Sequence, residues 1–171
     1  MKNLKEREEV IEYSIKLNTT NLSPLRSGNI SVRGIEDGIE GFFITPSGKK
    51  YETLKPDDIV FLSLTEEKDF LSWFNSGKNP SSEWRFHQDI YKNKWEAKAI
   101  VHAHSPHASA VSTHGKSIPP FHYMVALAGG EDIRCAEYAT FGTHELSMNI
   151  VKALKDRKAC LMSNHGQVAF G

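Results

Sequence analysis

Apolar residues recur along the chain with two different periods, and the alternation between them lays out the elements. Leu4, Ile11 and Ile15 repeat near 3.6 residues, so residues 3–18 read as an amphipathic helix. Asn29–Val32 and Gly41–Ile44 are short β-prone runs, the second closed by the turn signal Thr45-Pro46-Ser47-Gly48. Ile59–Leu64 predicts another strand. Pro80-Ser81-Ser82 then offers a helix start, with Glu83 in the first turn and Phe86 and Ile90 on an apolar stripe. Ala99–His102 reads as a buried strand, and Pro106 suits the first turn of the helix after it. Over residues 143–155 Leu146, Ile150 and Leu154 repeat every four, Thr143 can cap the start, and Lys152 and Lys155 suit the negative end. Strands at Ala159–Ser163 and Val168–Phe170 flank His165-Gly166. Helices interleaved with short strands around a mainly antiparallel core give an α/β fold of α+β character, and 171 residues fit one domain spanning 1–171.

Composition narrows the function classes. The 21 basic and 21 acidic side chains cancel, so the chain lacks the basic excess of a nucleic-acid binder or a membrane-surface protein. With 39% apolar and 25% charged residues it should fold rather than stay disordered. Cys135 and Cys160 stand alone, which excludes a disulfide framework and a four-cysteine zinc site. The opening MKNLKEREEV has no apolar core for a secretory signal, and no apolar run approaches a bilayer span. A cytoplasmic location is expected.

Chemistry concentrates in the histidines, of which there are eight. His102 and His104 lie two apart at a strand end, so both side chains leave the same face and can reach one metal ion. His165 can add a third ligand from the turn that Gly166 sharpens, and His107 is a competing one. Three histidines leave a coordination position open and favour zinc, with iron, cobalt or manganese as other divalent choices. The competing reading is an ordinary exposed strand end. Glu83 is the candidate acid/base. Ser81 and Ser82 precede it at a helix N-terminus, where free N–H groups favour an anion such as phosphate. Equally, one serine could simply cap the helix while Glu83 complements its dipole. Gly28-Asn29 and Ser47-Gly48 are turns whose N–H groups could face the same anion. His87, one turn after Glu83, either orients that carboxylate or sits at the surface. His114 and His144 read as solvated, and Trp73 and Trp84 as packing.

Five motifs occur in an order that carries a resemblance: Ser27-Gly28-Asn29-Ile30-Ser31, Ile44-Thr45-Pro46-Ser47-Gly48, Pro80-Ser81-Ser82-Glu83-Trp84-Arg85-Phe86-His87, Val101-His102-Ala103-His104 and Asn164-His165-Gly166. Ile118-Pro119, His122-Tyr123-Met124 and Tyr138-Ala139-Thr140-Phe141-Gly142-Thr143 add to it. Together they resemble the class II aldolase/adducin family from about Asn21 to Gly166. The resemblance implies a central sheet flanked by helices and a homotetramer with sites at subunit interfaces. It implies that His102, His104 and His165 hold Zn2+, with Glu83 able to approach the ion and shuttle the substrate proton. Gly28, Asn29, Ser47, Gly48, Ser81 and Ser82 match the family's phosphate pocket, and Tyr123 the tyrosine that handles the proton on the aldehyde-derived oxygen. The implied activity is cleavage of a sugar 1-phosphate, an L-fuculose 1-phosphate-like ketose, to dihydroxyacetone phosphate and an aldehyde through a metal-stabilised enediolate. Alternatives within the family are a pentulose-5-phosphate 4-epimerase, a methylthioribulose-1-phosphate dehydratase and a non-catalytic adducin-like interaction domain, which would be expected to have lost ligands that are intact here. Family members continue past the position of Gly171 into further helices and a tail over the site, and that tail is expected to be missing.

Overall fold

A two-residue turn, Asp37-Gly38, joins β1 (Asn29–Glu36) to β2 (Ile39–Ile44). Both turn residues have positive φ, 52° and 79°, which matches the twist of a tight hairpin. That turn sets the register Glu36↔Ile39 through Ser31↔Ile44. The computed structural model describes residues 2–65 and 70–171. Across it the strands β3 (Val60–Ser63), β4 (Ala99–Ala103), β5 (Arg134–Ala136), β6 (Ala159–Met162) and β7 (Gly166–Phe170) complete a seven-stranded sheet in the order β3-β2-β1-β4-β7-β6-β5. Every pairing is antiparallel except β5 with β6. The expected mainly antiparallel α/β architecture is the one observed.

Among the described residues five helices flank the sheet: α1 (Leu4–Thr19), α2 (Phe70–Asn75), α3 (Trp84–Asn93), α4 (Pro106–Ser112) and α5 (His144–Ala153). The period-two alternation of the strands divides the core between the two faces. Phe42, Ile44, Leu62, Ile100, Met162 and Val168 pack with Trp84, Phe86 and Ile90 of α3 and Leu146 and Ile150 of α5. On the opposite face Phe43 and Phe61 pack under Val10 of α1. Trp73 and Trp84 meet edge to face inside the first cluster, as packing residues. The Thr143 hydroxyl accepts the Leu146 N–H and caps α5 as expected. No described helix is long and apolar enough to cross a membrane.

Two elements depart from expectation. Glu83 is not inside the first turn of α3 but is its N-cap residue, with φ −102° and ψ 13°. The segment after Ser117 contains β5 and a 3-10 stretch, Tyr123–Ala128, for which the sequence offered no periodic signal.

Candidate active site

Three adjacent strands and one helix start bring the site together. Asn29 at the head of β1 pairs in register with His102 on β4, and His102 pairs with Val168 on β7. His104 follows β4, and His165 lies in the turn between β6 and β7. The sharp turn there comes from Asn164, which adopts φ 54°, and not from Gly166 as its spacing suggested. Gly166 is needed for clearance: a Cβ would stand 2.5 Å from the Ala103 carbonyl oxygen and 3.2 Å from the His104 ring. Gly28 serves β4 likewise, since a Cβ there would collide with the His102 carbonyl oxygen.

Glu83, His102, His104 and His165 converge, each offering one ligand atom, with all four atoms within 4.8 Å of one another. Glu83 Oε2 lies 3.2 Å from His102 Nε2, and Oε1 lies 3.1 Å from His165 Nε2. His102 Nε2 is 2.8 Å from His104 Nε2. Burial alone would raise the Glu83 carboxyl, but His102 and His165 beside it hold it well below the usual carboxylate range. His102 shows the reverse: burial lowers it, and the Glu83 charge more than compensates, so it ends raised. His104 is depressed to about 4 by burial and by its imidazole neighbours. His107 is exposed on α4 and takes no part, and His114 and His144 are exposed as expected.

The donor set fits a divalent transition-metal ion on two counts. His102 donates Nδ1–H to the Gln167 carbonyl at 2.9 Å, which fixes the tautomer and leaves the Nε2 lone pair aimed into the cluster. Glu83 Oε1 is buried yet makes no hydrogen bond of acceptable geometry. Converging lone pairs with an unsatisfied carboxylate oxygen cost free energy unless a cation sits among them.

Beside the cluster, Gly28, Asn29, Ser47, Gly48, Ser81 and Ser82 line one cavity of about 230 Å³, so the six expected phosphate ligands do meet. Their donors differ from the sequence reading in one respect. The Ser47 N–H is spent on the Asn79 carbonyl and the Ser81 N–H on the Thr45 carbonyl, each at 2.9 Å. These residues therefore offer hydroxyls. The start of α3 has no side-chain cap bond, so capping does not account for both serines, although Ser81 Oγ accepts the Glu83 N–H at 3.3 Å. Arg26 and Lys49 also line this cavity and were not anticipated; the run Pro24–Arg26 carried no motif, and only the charge of Arg26 could have marked it. A second cavity of about 380 Å³ is lined by Glu83, His104, His165, Tyr138 and Phe141. Both cavities share Ser27, Ser82 and Glu83, so the carboxylate stands where the two meet.

Tyr123 is not brought to this cluster within the single chain. It is 81% exposed and lines a separate cleft with Phe121, Val125 and Glu131. His87 is neither at the surface nor in contact with Glu83; it is fully buried against Asn29 and Ser31.

Comparison with known proteins agrees with this geometry. The family model described as the Class II Aldolase and Adducin N-terminal domain matches residues 8–171. A 5-methylthioribulose-1-phosphate/5-deoxyribulose-1-phosphate aldolase of Rhodospirillum rubrum is 43% identical over 165 residues, covering 96% of this chain and 70% of its own. An L-fuculose phosphate aldolase of Escherichia coli K12 is 43% identical over 169 residues, covering 99% of this chain and 74% of its own. A solved L-fuculose 1-phosphate aldolase superposes with a TM-score of 0.84 at 36% identity, over 98% of this chain and 75% of that one. With its motifs, its sheet and its Glu83–histidine cluster all in agreement, the chain belongs to the class II aldolase and adducin family.

Proposed function

We propose that the protein is a zinc-dependent aldolase that cleaves a ketose 1-phosphate between C3 and C4 to dihydroxyacetone phosphate and an aldehyde. The observation that carries this reading is the junction at Glu83: a buried acid/base among three imidazoles on one side and an anion cavity on the other. His102, His104 and His165 would hold the ion, with Glu83 near it. A divalent cation supplies Lewis-acid chemistry, drawing off the charge that develops beside the ketone.

The chain's own groups do the rest. Gly28, Asn29, Ser47, Gly48, Ser81 and Ser82 hold the phosphate, with positive charge added by Arg26 and Lys49. That grip is remote from the breaking bond, so it orients the substrate. Glu83, ionised at rest, takes a proton from solvent and delivers it to the carbon that was C3, completing dihydroxyacetone phosphate. The C4 hydroxyl must lose its proton at the far end of the bond, and Tyr123 takes that role from a neighbouring copy in a homotetramer. The exposure of Tyr123 beside Phe121 (75%) and Leu127 (69%) supports a subunit contact there. A cytoplasmic setting suits a sugar-phosphate substrate.

The relative whose name includes methylthioribulose phosphate is an aldolase, which gives the dehydratase alternative no support. The test is a panel of ketose phosphates: L-fuculose 1-phosphate, 5-deoxyribulose 1-phosphate, 5-methylthioribulose 1-phosphate and a pentulose 5-phosphate. Dihydroxyacetone phosphate released from a 1-phosphate, lost on chelation and regained with zinc, supports the reading. Epimerised pentulose 5-phosphate, or no product from any member, overturns it.

A further inference from the structure

We infer that His87 is a positioning residue for Glu83, acting through Asn29: it locks the Asn29 amide so that Glu83 Oε2 is held and Oε1 faces His165. The inference rests on the acid/base role proposed for Glu83.

His87 sits in the middle of α3 with 0% exposure, stacked on Phe86 at 4.7 Å, where an apolar side chain would pack at no polar cost. Both ring nitrogens nevertheless have partners. Nδ1 is 2.7 Å from Ser31 Oγ, and Nε2 is 2.5 Å from Asn29 Oδ1. Ser31 Oγ is in turn 2.9 Å from the Tyr91 hydroxyl. At the other end, Asn29 Nδ2 donates to Glu83 Oε2 at 3.0 Å.

Donor and acceptor balance permits one arrangement of this chain. Complete burial, foremost, pushes His87 down to about 3, so the ring is neutral, with one N–H and one lone pair. An ionised carboxylate only accepts, so Asn29 must turn its NH2 to Glu83 and its carbonyl to His87. His87 must then carry its proton on Nε2. Its Nδ1 accepts from the Ser31 hydroxyl, whose oxygen accepts from Tyr91. Every bond donates toward Glu83. Flipping the Asn29 amide would set a carbonyl against the carboxylate, and would clash with the ring N–H unless the proton moved to Nδ1 and the Ser31–Tyr91 hydroxyls reversed with it. The ring is therefore a lock on the amide.

The consequence falls on the chemical step. Asn29 lines the anion cavity whether or not it is locked, so phosphate binding should change little. The orientation of Glu83 does depend on the lock, and a misplaced catalytic group can cost about 10²-fold in rate.

The test combines kinetics with a measurement that needs no activity. In 15N-histidine NMR of the whole protein, His87 should be the neutral Nε2–H tautomer, and an Nδ1–H tautomer overturns the proposal. His87→Phe keeps a buried ring without nitrogens and should lower kcat about 10- to 100-fold, with KM within about threefold and metal content unchanged. His87→Gln places an amide N–H near the position of Nε2 and should recover most of kcat. If His87 acts only through Asn29, adding His87→Phe to Asn29→Ala should cost less than about threefold more. Multiplicative losses, or a glutamine variant as poor as the phenylalanine one, overturn the proposal. Should His87→Phe fail to fold, Ser31→Ala removes the hydroxyl that holds the tautomer: a lower kcat at unchanged KM supports the lock, and an unchanged kcat overturns it. A wild-type protein inactive on every ketose phosphate would instead sink the proposed function, while the tautomer result would still stand or fall by itself.

Discussion

The buried cluster around Glu83 and the exposed stretch around Tyr123 differ in almost every physical respect. The first is built from strand ends and a helix cap, with His102 and His87 at 0% exposure and Asn29, His87 and His102 each hydrogen-bonded within the same chain. The second is a 3-10 segment with its aromatic residues turned outward. A group that must stay oriented while charge changes beside it belongs on rigid elements. A surface that is finished by another copy needs no such support of its own. On the function proposed above, the two ends of the breaking bond differ in self-sufficiency: one proton would be handled inside a chain, the other between chains.

The severest way to break this contrast is at the ligands. The double substitution His102→Ala, His104→Ala should empty the metal site and abolish cleavage, a loss of at least about 10³-fold when half the ligands go. Metal analysis after gel filtration checks it, and full occupancy would remove the buried cluster from the chemistry.

Glu83→Gln should leave fold and metal in place and reduce solvent hydrogen exchange into dihydroxyacetone phosphate by about 10² to 10⁴. Exchange followed by NMR measures this, and wild-type exchange would place the base elsewhere.

A smaller and more selective effect is expected at Tyr123. Tyr123→Phe should slow cleavage by roughly 10- to 100-fold yet spare exchange into dihydroxyacetone phosphate alone. Mixed with Glu83→Gln protein it should regain some cleavage in hybrid assemblies. Equal loss of both reactions would show that the two ends are not divided.

The mildest effect is on stability. His87 is neutral down to about 3 in the folded protein, against an ordinary value of 6.5 for the free side chain. Between those values the unfolded chain binds the extra proton, so this contribution to stability is complete above 6.5 and is lost as pH falls toward 3. Between pH 6.5 and 5 the wild type should lose about 2 kcal/mol more than His87→Gln, measured by urea unfolding at both values. Parallel losses would mean that the ring is charged in the fold.

The same contrast explains what could be read from the sequence. Strands and helices with strong periodicity, such as the Leu146-Ile150-Leu154 repeat of α5, were legible to within a residue or two at their starts. So was the convergence of His102 and His104, because a spacing of two on a strand puts both on one face. β5 was not legible: three residues, Arg134-Cys135-Ala136, are too few to show alternation, and they pair in parallel with β6 only after α5 has crossed over. The role of Gly166 was misread because clearance from Ala103 is a contact between strands, invisible to local turn rules. His87 stayed ambiguous for a related reason. Its partners, Asn29 and Ser31, lie more than fifty positions away, and only the sheet brings them beneath α3.

The Asp37-Gly38 turn, at the far end of β1 from Asn29, has a reach that its position hides. It sets the pairing of β1 with β2, and β1 pairs along its other edge with β4, where Asn29 faces His102. Slipping β1 by one residue would turn its apolar side chains to the wrong face, which the core resists. Slipping it by two would satisfy the core while carrying Asn29 about 7 Å along the sheet, away from Glu83. The core thus forbids odd errors and tolerates even ones, and the site forbids both. A loop of two residues with no contact to substrate acts as the gauge that sets where the carboxylate's donor comes to rest.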